Sequence, residues 1–136
     1  MFVGEAISGG TAASARSAPD YSIDCERGIV SVRFGCQLGV QDIEHYAKAL
    51  AADPLFRPSF SEIVDLTAVE DLQLNAASAV SLADRVDPFD LASKRAFIVK
   101  TPAQGNAARM HQILWCEKSI KIFASEAAAR EWLETP

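Results

Sequence analysis

Three stretches of the chain carry side chains able to do chemistry. The first is Asp65-Leu66-Thr67, which follows the short apolar run Ile63-Val64. A carboxylate at the end of a strand can hold a metal or accept a phosphoryl group, and Glu70 and Asp71 follow closely. Such a site needs several convergent acids, and one strand end supplies a single certain member. The favoured reading is that Asp65 and Thr67 satisfy backbone N–H groups in the turn. The second stretch is Thr101-Pro102-Ala103-Gln104-Gly105-Asn106, at the start of a helix that carries Arg109 and His111. Thr101 suits the N-cap and Pro102 the first helical position. Free N–H groups there could bind an anion, with Arg109 further along the helix. Gly105 alone falls well short of a phosphate-cradling loop. The third stretch runs from Asp84 to Leu91, where Phe89 and Leu91 are apolar in an otherwise acidic loop. They are expected to fold back onto the core, the alternative being a lid or docking patch.

His45 and His111, the only histidines, each fall on an expected helix without a visible Ser, Cys or paired acid. Both read as spectators. Met110, Leu114 and Trp115 recur at helical spacing, which reads as core before cofactor pocket. Cys25, Cys36 and Cys116 are odd in number and match no zinc or redox spacing. They read as free thiols, with a reactive Cys116 the minority alternative. No catalytic residue, metal or cofactor is expected.

The elements that must position these residues are legible from hydrophobic period and punctuation. Met1 to about Pro19 is rich in Gly, Ala and Ser and reads as a mobile tail outside a domain of residues 20–135. Tyr21 to Asp24 and Ile29 to Phe34 flank a turn at Gly28, which predicts a β-hairpin. Ile43, Ala47 and Leu50 share a helical face over about Val40 to Ala52, with Gly39 as N-cap, Asp42 in the first turn and Asp53-Pro54 as the stop. A buried strand follows at Ile63-Val64, within Phe60 to Leu66. In Leu72 to Val86, Leu72 and Leu74 look like a strand end and Ala76, Ala79, Val80, Ala83 and Val86 like one helical face, so two short elements or one helix from Asn75 both fit, and the helix is preferred. Arg95 to Lys100 and Ile120 to Phe123 are two strands, each followed by a helix, the second helix starting after Ser125 and ending at Trp132-Leu133. The expected fold is α/β: a single domain with a mixed sheet of about five strands, an N-terminal hairpin and then parallel βα units, flanked by about four helices. The first strand should be antiparallel and at an edge.

With 136 residues the chain is long enough for one domain with a real core. Its net charge of −5 and scattered basic residues argue against nucleic acid as a partner. No apolar stretch approaches the roughly 18 residues of a membrane span. The first residues lack the basic start and apolar run of a signal peptide, so a cytoplasmic location is expected.

In this order the hairpin, the Gly35 to Asp42 turn into the first helix and Ile63-Val64-Asp65-Leu66 resemble the SpoIIAA-like, STAS-like family of bacterial proteins. So do Phe97-Ile98-Val99, Gly105-Asn106-Ala107-Ala108-Arg109-Met110, Ile122-Phe123-Ala124-Ser125-Glu126-Ala127 and Glu131-Trp132-Leu133. The resemblance spans about Tyr21 to Leu133. It implies a compact α/β module used in protein–protein regulation and sometimes in binding small ligands. Anti-sigma antagonists of this kind carry Asp-Ser-Ser-Gly, with the second Ser phosphorylated. The matching positions here are Asn75-Ala76-Ala77-Ser78, so Ala77 offers no hydroxyl and Ser78 is one place off. No phosphorylation site is carried over.

The leading expectation is therefore a non-enzymatic regulatory or binding module acting through a protein partner, with homodimerisation possible. The alternative is a carrier or sensor of a lipid-like apolar small molecule. Candidate ligand contacts are Asp65, Thr67, Phe89, Leu91, Arg109, Met110 and Trp115. That alternative calls for a cavity on the order of several hundred Å³ beneath Phe89, Leu91, Met110, Leu114 and Trp115. An enzyme ranks last, its best cluster being Asp65 with Arg109 or His111.

Overall fold

The computed structural model describes residues 20–74, 88–90, 92–114 and 119–135. The expected tail, the expected helix from Asn75 to Val86 with Ala77 and Ser78, and the positions of Leu91, Trp115 and Cys116 lie outside the described residues. Seven strands and three helices are present among those described. They are β1 (Asp20–Asp24), β2 (Ile29–Arg33), β3 (Gln37–Gly39), α1 (Val40–Ala52), β4 (Ser61–Asp65) and β5 (Asp71–Gln73). After these come β6 (Arg95–Ile98), α2 (Pro102–Leu114), β7 (Ile120–Phe123) and α3 (Glu126–Leu133).

Five strands form one mixed sheet in the order β1-β2-β4-β6-β7. β1 is antiparallel to β2 at the edge, and the remaining neighbours are parallel. The hairpin turns at Gly28, whose φ of +66° lies where a side chain is disfavoured. β3 and β5 form a separate parallel pair; β5 lies where Leu72 and Leu74 suggest a strand end, whereas β3 and its pairing with β5 carry no signal in the hydrophobic period. β3 is too short to show alternation, and the pair is placed by Cys36, whose carbonyl accepts the N–H groups of Glu70 and Asp71. The count of about four helices thus becomes three among the described residues.

α1 starts where the sequence says it should. The Asp42 carboxylate reaches back to accept the Gly39 N–H at 2.8 Å, and the helix ends at Asp53 before Pro54. α3 is capped by Ser125, whose hydroxyl accepts the Ala128 N–H.

Strand alternation divides the core in two. On one sheet face Val30, Val32, Val64, Phe97 and Ile120 pack with Tyr46 and Leu50 of α1 and Ala108 of α2. On the other, Ile29, Ile63, Ala96 and Ile98 pack with Ala129 and Leu133 of α3. The first face carries the larger cluster, and it contains the site.

Candidate functional site

The parallel register aligns Val30, Glu62, Arg95 and Ile120 as one row across the four strands β2, β4, β6 and β7. Glu62 and Arg95 are thereby neighbours in the middle of the face that α1 and α2 cover. Arg95 donates from Nε to Glu62 Oε1 at 2.9 Å, and the two side chains are 6% and 2% exposed. Tyr46, projecting from α1, donates its hydroxyl to Glu62 Oε2 at 2.6 Å. Both carboxylate oxygens therefore hold strong donors, the condition under which a buried charge is tolerated. Phe89 lies against the Arg95 guanidinium, with 4.8 Å from its ring centroid to Cζ. Phe34 meets Tyr46 edge-on at 5.8 Å, and Phe56 meets Phe89 edge-on at 5.2 Å.

Above this polar centre lies a cavity of about 120 Å³ between α1, the sheet and α2. α1 lines it with Ile43, Tyr46 and Ala47, the sheet with Glu62, Val64, Arg95 and Phe97, and α2 with Ala107, Ala108 and His111. Leu74, Pro88 and Phe89 contribute from the connecting segments. The wall is mostly hydrocarbon and aromatic. The His111 ring packs on Phe97 with centroids 5.5 Å apart.

The structure separates the residues singled out from sequence. Phe89 is buried and lines the cavity, so it folds back onto the core. Met110 is 37% exposed and Arg109 is exposed as well, both outside the cavity wall. The cavity is smaller than expected and sits further toward α1, because α2 turns Ala107, Ala108 and His111 inward instead of Met110. Asp65 projects to the other sheet face, the side of Ile63 and α3, beside a shallow polar groove with Arg33, Ser31 and Glu126. It accepts from the Thr67 N–H at 2.9 Å and the Thr67 hydroxyl at 2.6 Å, and from Arg33 Nε at 3.3 Å. Asp65 and His111 thus serve opposite faces and are not a pair.

Asp65-Leu66-Thr67 and the start of α2 do meet, through Gln104. Gln104 Oε1 accepts the N–H groups of Lys100 and Thr101 at 2.7 and 3.1 Å, while Thr101 Oγ1 accepts the Gln104 N–H at 3.2 Å. Gln104 Nε2 donates to the carbonyls of Val69 at 2.8 Å and Thr67 at 3.4 Å. The capping box takes the N–H groups of Thr101 and Gln104 and Pro102 has none, so this helix start offers little to an anion. Among the described residues no group of three or more His, Cys, Asp or Glu is arranged to hold a metal. No described helix is long and apolar enough to cross a membrane.

Glu62, Arg95 and Tyr46 escaped the sequence reading. A trace was present: Glu62 stands two residues before Val64 and Arg95 two before Phe97, so each alternates onto an apolar face. Pairing them across strands requires the register, which the sequence does not carry.

No protein-family model matches the chain, and no curated protein matches it in sequence. A solved structure does match. It is an uncharacterized protein of the DUF3478 family from Shewanella loihica PV-4, described as having a SpoIIAA-like fold. The TM-score is 0.59 at 20% sequence identity, covering 91% of this chain and 99% of that one. The fold is SpoIIAA-like. The resemblance read from the order of sequence segments therefore extends to three dimensions. At this identity the likeness concerns the SpoIIAA-like architecture and carries no side-chain role.

Proposed function

We propose that the chain is a non-enzymatic binding module whose cavity between α1 and α2 takes a small, largely apolar molecule. The observation that carries this reading is the cavity of about 120 Å³. A cavity of roughly 150 Å³ with apolar walls is enough to take benzene or xenon, so this one is matched to a single ring or a short branched chain rather than to a long acyl tail. Within the Glu62–Arg95–Tyr46 centre both Glu62 oxygens, Arg95 Nε and the Tyr46 hydroxyl are engaged with one another, which leaves the mostly apolar wall above it suited to hydrocarbon.

Toluene added to labelled protein should shift the methyl resonances of Val64, Leu66 and Ala108 in a saturable manner. Ala107→Leu extends a side chain into the cavity and should abolish the response while leaving the rest of the spectrum in place. Unchanged methyl resonances in saturating toluene would sink the proposal. A second reading, regulation through a protein partner or self-association, is supported by the exposed position of β1 at the sheet edge. Light scattering, with pull-down from the native cell, decides that reading.

A further inference from the structure

We infer that the cavity selects neutral single-ring molecules, such as toluene or phenol, and discriminates against carboxylates and amines. This rests on the binding reading above and adds the chemical class of the ligand.

The argument starts from the charges in the described wall. Glu62 and Arg95 carry opposite formal charges and are joined at 2.9 Å, with side chains 2% and 6% exposed. The Tyr46 hydroxyl holds the second Glu62 oxygen. A benzoate entering this space would compete with Glu62 for the guanidinium, and a benzylammonium would compete with Arg95 for the carboxylate. Either one leaves a third charge in a space walled by hydrocarbon, where an uncompensated ion is costly. A neutral ring makes no such demand. The rings of Phe34, Tyr46, Phe89 and Phe97 line the same space and offer both faces and edges to an aromatic guest. His111, the remaining titratable group in the described wall, lies tilted against Phe97 with ring centroids 5.5 Å apart and adds a further ring to the lining. The volume of about 120 Å³ admits one ring.

The test compares toluene, phenol, benzoate and benzylammonium on the full chain at neutral pH, with methyl chemical shifts as readout. Toluene and phenol should bind, with each charged analogue at least about tenfold weaker than phenol. Benzoate or benzylammonium binding as tightly as phenol would overturn the inference while leaving the cavity reading standing. Failure of all four to bind would overturn both. Glu62→Gln removes the negative member of the pair and should raise benzoate affinity relative to phenol. An unchanged ranking in a folded Glu62→Gln protein would refute the ion pair as the source of selectivity. If that variant does not fold, the ranking on the native chain still decides the matter.

Discussion

At the scale of single residues, the molecule places two of its charges where charge is least welcome and then satisfies them. Removing one partner of a buried pair strands the other, which typically costs about 3–5 kcal/mol, whereas replacing both with apolar groups of similar volume is often neutral. Glu62→Leu should therefore lower the urea midpoint sharply, and Glu62→Leu combined with Arg95→Met should restore most of it. A double variant no more stable than the single one would show that the pair is not coupled. Cys36 illustrates the opposite case, a thiol held quiet. Desolvation where it lies against the chain raises its pKa, followed by Glu70, whose Oε1 is 3.6 Å from Sγ, and by Asp71. Glu70→Gln should lower that pKa and speed alkylation of Cys36 at pH 8, as read by peptide-resolved mass spectrometry. Equal labelling rates in the two proteins would contradict this account.

At the scale of elements, α2 is held by its first turn. Gln104 is 1% exposed and joins the helix start to the loop after β4 through four hydrogen bonds from its side chain. Truncating it to Ala leaves the buried Val69 carbonyl and the part-buried N–H groups of Lys100 and Thr101 without this partner, at a cost of about 1–3 kcal/mol. The Thr-x-x-Gln pattern of a capping box stands in the sequence at Thr101 to Gln104, so half of this role is local. The donation to Val69 is tertiary. The neighbouring Gly105 sits in the helix with nothing within 4 Å of a Cβ added there. Gly105→Ala should stabilise the protein by up to about 1 kcal/mol through helix propensity. Gly28→Ala should do the reverse, because its φ is +66° and the new methyl would meet Phe60 at 3.3 Å. Thermal melts of the two variants should move in opposite directions from the parent.

At the scale of the whole molecule, the edge of the sheet is tied to the end of α1. Tyr21 of β1 donates its hydroxyl to Asp53 at 2.9 Å and meets Tyr46 edge-on at 5.8 Å. Burial, and then the hydrogen bond and charge of Asp53, raise the Tyr21 pKa above its ordinary value of 10.0. A pKa raised by folding means that the folded state favours the protonated phenol. Its contribution is complete below about pH 10 and is lost as pH rises through the higher folded value. Urea midpoints should therefore fall more steeply above pH 10 in the parent than in Tyr21→Phe. Parallel curves for the two proteins would rule out this tie as a source of alkaline sensitivity.

Local chemistry was enough to place the hairpin at Gly28, α1 between Gly39 and Asp53, the strands after Ser61 and Arg95, and the two capped helices, because period, caps and breakers act within a few residues of one another. Their order was enough to suggest the SpoIIAA-like fold. The cavity was not legible in the same way. It depends on the parallel register that sets Glu62 beside Arg95, and on the angle of α2 that turns His111 inward and Met110 outward. Those are relations between segments distant in sequence, and packing alone decides them.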